Sequence, residues 1–344
     1  MRCTKDIVRQ ETPDNPVDAH ADSRHPMTES HGGGLLAALE GRQPPAPAWF
    51  REALATEPET RFHEVAGARL ETLTWGERGK PGLLLMHGNG AHARWWSFIA
   101  PFFADQFRVV AFSWSGMGRS DWRETGSYKL DGFIDEALGI AQLEGLFDAP
   151  LKPVFVGHSF GGFPTMACAA RHGERLRAAV IVDSPMRTPD QRRQFEEARQ
   201  ARELKPLRVY PSFEDAVMRF RLMPVQACEH LYIVDHIART SLRAVQANDD
   251  SPGGWTWCFD PFMWKGYRMG SPSEDLAGAR CPIALIWGSR SGLVGPKVIE
   301  YARSLAPVGS PMIEIPQADH HVMIDQPLAF VAALRGLLQG WPQA

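Results

Sequence analysis

Residues 157–161 read Gly-His-Ser-Phe-Gly, a serine with a glycine two positions away on either side. An alkyl hydroxyl is a poor nucleophile at neutral pH, so Ser159 would need a base to take its proton as it attacked a carbonyl. Imidazole is the usual base, and it in turn needs a carboxylate to fix its tautomer and stabilise the imidazolium. The apolar run Val154-Phe155-Val156 precedes the serine and a helix-like stretch comes after it. That is the strand-turn-helix setting in which G-x-S-x-G presents a nucleophile. The glycines allow a sharp turn that lifts the hydroxyl above the strand end, where larger residues would meet neighbouring backbone. Alone, the pattern also fits an ordinary glycine-rich turn, so the elements around it must decide.

Those elements alternate. RFHEVAGARLETLTWGE has the pattern of two strands joined through Gly67, and the strand-like runs LLLMHG, RVVAFSW, VFVG, AAVIVD, IALIWG and MIEIP come after it. Between them lie helix-period stretches: an apolar one around WWSFIAPFFAD, the segment DGFIDEALGIAQLEGLF, and one after the elbow glycines. Nearly continuous apolar strands alternating with helices predict an α/β fold, a mostly parallel sheet covered by helices on both faces. The alternation stops over residues 186–271, where PDQRRQFEEARQARELK, FEDAVMRFRLM and ACEHLYIVDHIARTSLRAVQ read as helices separated by Pro206, Pro211 and Pro224. This predicts a core of residues 46–185 and 272–344 interrupted by a mainly helical insertion. Residues 1–45, rich in Pro, Gly and charge and poor in large apolar groups, read as a flexible leader.

The whole chain narrows the partners. With 344 residues, 44% of them hydrophobic, it can bury a substantial core. A net charge of -3 provides no basic field for nucleic acid or an anionic membrane, so a small molecule is the expected ligand. Neither a secretory h-region nor a membrane-length apolar stretch is visible. The five cysteines are scattered without C-x-x-C or metal-ligand spacing, which reads as reduced thiols of a cytoplasmic protein. No metal or organic cofactor is expected, and a homodimer is compatible with the composition.

Three further loops succeed predicted parallel strands: His87-Gly88-Asn89-Gly90, Ser115-Gly116-Met117-Gly118-Arg119-Ser120, and Gln317-Ala318-Asp319-His320-His321 before a closing helix. Open α/β sheets build their sites at these carboxyl edges. With these tracts in this order, and His320 succeeded by Asp325 and Pro327, the sequence resembles the α/β-hydrolase family over roughly residues 60–340. The insertion 186–271 falls where that family carries its cap domain.

The resemblance implies His320 as the base, with His321 as the alternative one position on. His158 and His87 are read as structural, and His92 as lining or supporting the pocket. For the oxyanion, the backbone N–H of Phe160 opens a helix, and the resemblance assigns the second donor to the N–H of Asn89. The Asn89 side chain is either a further donor or a simple turn residue. Most relatives carry the acid after the seventh strand as G-x-x-D, but here the turn reads Trp287-Gly288-Ser289-Arg290-Ser291. Some branches place it after the sixth strand, where this chain has Asp183, and the ends of those two strands are neighbours. Asp183 is therefore assigned as the acid, its alternative role being to cap the next segment; Asp319 is read as a loop residue pointing away. The insertion is dense in aromatics, mostly its own core, with Trp255 and Trp264, together with Trp95, Met117 and Met186, expected to touch the substrate. Its charged stretch QRRQFEEARQARE reads as a solvated face.

Together these residues predict a serine hydrolase that cleaves a carboxylic ester or lactone of a small, largely apolar molecule through an acyl-enzyme. A serine in the elbow argues against the dehalogenase and epoxide hydrolase relatives, whose elbow carries Asp. Two readings stay beside it: hydrolysis of a carbon-carbon bond in a ring-cleavage product, and, motivated by Ser291, a non-catalytic small-molecule-binding protein.

Overall fold

A computed structural model describes residues 34–247 and 253–341. Its strands are β1 (Glu59–Val65), β2 (Ala68–Trp75), β3 (Gly82–Met86), β4 (Arg108–Phe112), β5 (Val154–His158), β6 (Ala178–Val182), β7 (Leu242–Val245), β8 (Gly254–Trp257), β9 (Ile283–Gly288) and β10 (Met312–Ile315). The helices are α1 (Ala48–Ala55), α2 (Leu130–Leu143), α3 (Gly162–His172), α4 (Pro189–Ala201), α5 (Phe213–Met218), α6 (Leu231–Thr240), α7 (Pro272–Ala277), α8 (Pro296–Leu305), α9 (Val322–Asp325) and α10 (Pro327–Gly340).

Eight strands form one sheet in the order β1-β2-β4-β3-β5-β6-β9-β10. The β1-β2 hairpin and the β2-β4 pair are antiparallel, and every pair from β4 to β10 is parallel. Alternate residues feed two apolar layers. Leu83, Leu85, Val109, Val154, Val156, Val180, Val182 and Ile286 face one layer, which α10 helps to fill through Phe330 and Leu334. Leu84, Met86, Val110, Phe112, Phe155, Ile181 and Leu285 face the other, where α2 and α3 contribute Phe133, Ile134, Ile140, Met166 and Ala167. A strand buried on both faces has no polar alternation, which explains the continuous apolar runs.

At the antiparallel end the sheet buries charge. The Glu144 carboxylate accepts hydrogen bonds from Thr72 (3.0 Å), Thr74 (3.0 Å), Arg108 (3.1 Å) and Arg61 (3.1 Å), and lies 2.7 Å from His63 Nε2. Burial alone would raise this carboxyl, but the bonds from His63, Thr72 and Thr74 outweigh it and hold the group below its ordinary range.

Residues 186–271 connect β6 to α7 without joining the main sheet. They are not purely helical: β7 and β8 form an antiparallel ribbon that pairs Leu242 with Trp257 and Ala244 with Trp255. The stretch predicted to continue α6 as a helix through SLRAVQ instead turns into β7, because four residues carry no period long enough to separate helix from strand. The ribbon side of the segment is stitched to the core: Asp260 N–H donates to the Gly116 carbonyl (2.7 Å), Tyr128 O–H to Asp260 (2.9 Å), and Met117 bridges Phe259. Helix α4 opens with a capping box at Thr188 and Gln191, buries no residue, and is held by polar bonds to 267–270. There Arg192 donates to the Gly270 carbonyl (2.7 Å), Arg199 to the Tyr267 carbonyl (2.5 Å), and Met269 N–H to Glu196 (3.1 Å).

Two other expectations need correction. Of the leader predicted over 1–45, residues 1–33 lie outside the described residues, but 34–45 pack against the inserted segment. Leu36 is 1% exposed and Gly34 N–H donates to the Met218 carbonyl, so two leucines and a close backbone approach outweigh the Pro/Gly composition. The helix expected around WWSFIAPFFAD is two short 3-10 turns, Ala93–Trp96 and Ala100–Phe103, since Pro101 lacks the N–H that a continuous helix would need. Among the described residues no helix is long and apolar enough to cross a membrane.

Candidate active site

β5 ends at His158 and the chain reverses into α3 through Ser159, whose φ is 52°. A left-handed serine is strained and persists because its neighbours leave no alternative. A Cβ on Gly157 would run into Thr165 Oγ1 and the Gly161 carbonyl, and one on Gly161 would lie 2.7 Å from the Met86 and His87 carbonyls. Only glycine fits at either place. The Ser184 hydroxyl donates to the Ser159 carbonyl at 2.8 Å and fixes the turn from the neighbouring strand end.

The serine hydroxyl is 2.9 Å from His320 Nε2, and His320 Nδ1 is 2.7 Å from Asp183 Oδ1. Three side chains from the ends of β5, β6 and β10 thus form one hydrogen-bonded chain, with His320 2% and Asp183 1% exposed. Asp183 has a φ of 45°, a second strained residue in the same place. Its carboxylate is fully committed. Oδ1 also accepts the Ser291 hydroxyl at 2.7 Å and Oδ2 the Gly288 N–H at 2.9 Å, so a buried anion has the donors it requires. Ser291 Oγ in turn accepts from the N–H groups of Leu293 (3.2 Å) and Val294 (3.1 Å), which aims its proton at Asp183.

The other histidines separate cleanly. His321 faces Trp95, 5.3 Å between ring centroids, and makes no bond to Ser159. His158 donates from Nε2 to the His320 carbonyl at 3.1 Å, supporting the loop that carries the base. Burial, and then the nearby imidazole of His320, lowers the pKa of both His158 and His321, so two neutral rings pack about His320. The ring nitrogens of these three come within 4.8 Å of one another, but His320 already spends both of its own on Ser159 and Asp183. His87 lies 2.8 Å from the Gly88 carbonyl through Nδ1 and accepts the Trp114 N–H at Nε2 (3.1 Å), a neutral tautomer whose pKa burial pushes down to about 3. His92 meets the Ser241 hydroxyl of the inserted segment at 2.9 Å.

Asn89, after β3, accepts the Trp264 indole N–H at 3.1 Å, and the Trp264 ring stands edge-on to Phe160 with centroids 5.1 Å apart. Phe160 N–H is in the first turn after the strand, where no preceding helical carbonyl is available to accept it. Met117 and Met186 are buried in the same apolar layer as Phe160. Trp95 faces His321, with the ring centroids 5.3 Å apart. Trp255 packs on Phe213 (4.9 Å) and pairs with Tyr210, and none of these contacts touches the Ser159-His320-Asp183 chain.

Sequence reasoning missed the residues that brace the site. Gln226 donates to both oxygens of Asp325 (3.0 and 2.9 Å), Asp325 accepts the Asp319 N–H (2.8 Å), and Gln226 accepts the His321 N–H (3.2 Å). The histidine loop is therefore clasped from the inserted segment. Only Asp325 had a signal, its fixed distance from His320. Asp319 points to Arg290, at 3.6 Å.

A mostly parallel sheet with a serine, a histidine and an aspartate linked across its carboxyl edge defines a hydrolase of the α/β type. The chain belongs to the alpha/beta hydrolase family, whose sequence profile matches residues 83–334. It is 26% identical over 286 residues to an esterase of Mycobacterium tuberculosis, Rv0045c, covering 82% of this chain and 90% of the relative. Identity is also 26%, over 267 residues (77% of this chain, 95% of the relative), to the pimeloyl-[acyl-carrier protein] methyl ester esterase of Chromobacterium violaceum. A 2-hydroxymuconate semialdehyde hydrolase of a Pseudomonas species is 32% identical over 142 residues, covering 40% of this chain and 44% of the relative. Among solved structures, E-2-(acetamidomethylene)succinate hydrolase superposes with a TM-score of 0.65 at 18% identity, over 82% of this chain and 100% of that one.

Proposed function

We propose that the protein hydrolyses a carboxylic ester or lactone through an acyl-enzyme on Ser159. The observation that carries this reading is the 2.9 Å and 2.7 Å chain from Ser159 through His320 to Asp183. His320 Nε2 takes the hydroxyl proton as Ser159 Oγ bonds to the carbonyl carbon, and Asp183 stabilises the imidazolium that results. Negative charge then gathers on the former carbonyl oxygen, which in this reading the backbone N–H groups of Phe160 and Asn89 receive. The imidazolium returns its proton to the departing alkoxide. Water, deprotonated by the same ring, cleaves the acyl-serine and restores the hydroxyl. Esterase relatives that align over more than three quarters of this chain support the choice of ester. In this reading 186–271 acts as a cap over the site, and the scattered free thiols fit a cytoplasmic setting.

The test is covalent labelling with a fluorophosphonate, read by intact mass and peptide mapping, which needs no knowledge of the substrate. Expected is rapid modification at Ser159 alone, absent in Ser159→Ala. Asp183→Asn should stay folded and lose turnover by about 10⁴-fold, as loss of the orienting carboxylate does elsewhere. Folded protein that stays unlabelled would instead support a binder on this scaffold. A second reading, hydrolysis of a carbon-carbon bond, is favoured by the partial match to the semialdehyde hydrolase. Turnover of a ring-cleavage dienone but of no ester would select it.

A further inference from the structure

The inserted segment carries a half-open cavity of about 310 Å³ between the end of α4 and the turn at 262–266, lined among others by Arg199, Arg202, Phe262, Trp264 and Lys265. Its position is set by Trp264. One side of that indole lines the cavity, while its N–H bonds Asn89 and its ring meets Phe160 beside Ser159. A single aromatic residue is thus common to the cavity and the candidate active site.

The cavity's chemistry differs from that of the apolar layers. Three cations line it, and no acidic side chain is among its described lining. Arg199 is held in place from behind: its guanidinium lies 5.7 Å from the Trp264 ring and 5.3 Å from the Tyr267 ring and donates to the Tyr267 carbonyl. Its Nε is buried without a hydrogen-bond partner, which leaves the guanidinium short of acceptors. Arg202 and Lys265 have no acidic partner among the described residues. Glu196, one turn before Arg199 on α4, attracts its guanidinium, but it is also engaged by Met269 N–H and lies 3.9 Å from Arg268.

We propose that this cavity is a carboxylate-binding subsite, so that the ester cleaved at Ser159 carries a carboxylate several bonds from its ester group. The ester rests on the acyl-enzyme reading of Ser159; the carboxylate rests on the cavity. A guanidinium presents two parallel N–H groups that match a carboxylate, while Phe262 and Trp264 provide an apolar wall for the chain between the two ends. The substrate is then amphipathic rather than uniformly apolar.

Two matched pairs of esters test this and show which side bears the charge: monomethyl adipate against methyl hexanoate, and 6-acetoxyhexanoate against hexyl acetate. For one pair, kcat/KM of the anion should exceed that of its neutral match by about 10-fold or more, the worth of one charged hydrogen bond. The ratio should shrink with added salt and fall towards one in Arg199→Gln, with Lys265→Gln, on an exposed turn, as a second variant that spares the Tyr267 contact. Neutral esters turned over with no preference for either anion, or a preference that survives both substitutions, would overturn the subsite. Calorimetric binding of adipate to Ser159→Ala separates the two proposals. Arg199-dependent binding without hydrolysis of any ester would keep the subsite and remove the esterase reading, and neither binding nor hydrolysis would remove both.

Discussion

Asp183 Oδ1 is shared by His320 and Ser291, and the second of these bonds is the informative one. Ser291 stands where most relatives place their acid, and a serine there cannot carry charge. Its hydroxyl instead donates to the carboxylate supplied by the neighbouring strand. Ser291→Ala should therefore lower kcat by about 5- to 30-fold, the equivalent of ~1–2 kcal/mol for one donor lost from a buried anion, with little change in KM. An unchanged kcat would mean that Gly288 N–H and His320 suffice to hold Asp183. The serine, the histidine and the aspartate were all legible from motif and strand order, because each comes after an apolar run that marks a strand end. Ser184 and Gln226 were not, nor was the bond from Ser291 to Asp183, since a single polar residue in a loop has no periodicity and its partner is set only by tertiary contact. Trp255 was singled out for its type alone, and type does not say which way a ring points.

Between residue and fold, two elements carry most of the constraint. The elbow is one. Gly161→Ala puts a methyl 2.7 Å from two carbonyl oxygens at the end of β3, so the turn must shift, and loss of fluorophosphonate labelling should exceed any loss of folded protein. Equal labelling rates in the variant and the parent would show that the turn tolerates the methyl. The antiparallel end of the sheet is the other. Glu144→Ala leaves Arg108, 4% exposed, without its anion, and breaking a buried pair in this way typically costs about 3–5 kcal/mol. Urea denaturation should show the midpoint falling with an unchanged slope. Sequence patterning located the strands here but not Glu144, which reads as one more polar residue at the end of a helix. The β7-β8 ribbon was lost for a similar reason: four-residue strands leave too short a trace.

For the whole molecule, the buried histidines set the response to acid. Burial takes His87 from 6.5 to about 3 and His236 to about 4, and lowers His92, His158 and His321 as well. The unfolded chain binds protons below about 6.5 that the folded chain refuses, so stability is fully present above that pH and is lost as pH falls towards 4. Each such histidine contributes up to ~1.4 kcal/mol per pH unit. Asp325 works against the trend, since burial raises it to about 6 and stability from this group declines as pH rises through that value. Burial raises Glu136, Asp275 and Asp319 in the same direction as Asp325, so five lowered histidines stand against four raised carboxyls. The urea midpoint should fall from pH 6.5 to 4.5, and His87→Gln should flatten the slope by about one proton; a midpoint that is level over this interval would contradict the assignment of buried neutral rings.

The inserted segment is bound to the core unevenly: a backbone bridge and rings tie 259–264 to it, while α4 buries no residue and is held by polar and ring contacts to 264–270 of the segment itself. A page sewn along one margin lifts from the other. Traffic in and out of the pocket should pass beneath α4, and the residence time of product should depend on how often that edge parts. Amides of α4 would then exchange with solvent faster than those of β8, and turnover of a good substrate would slow as solvent viscosity rises.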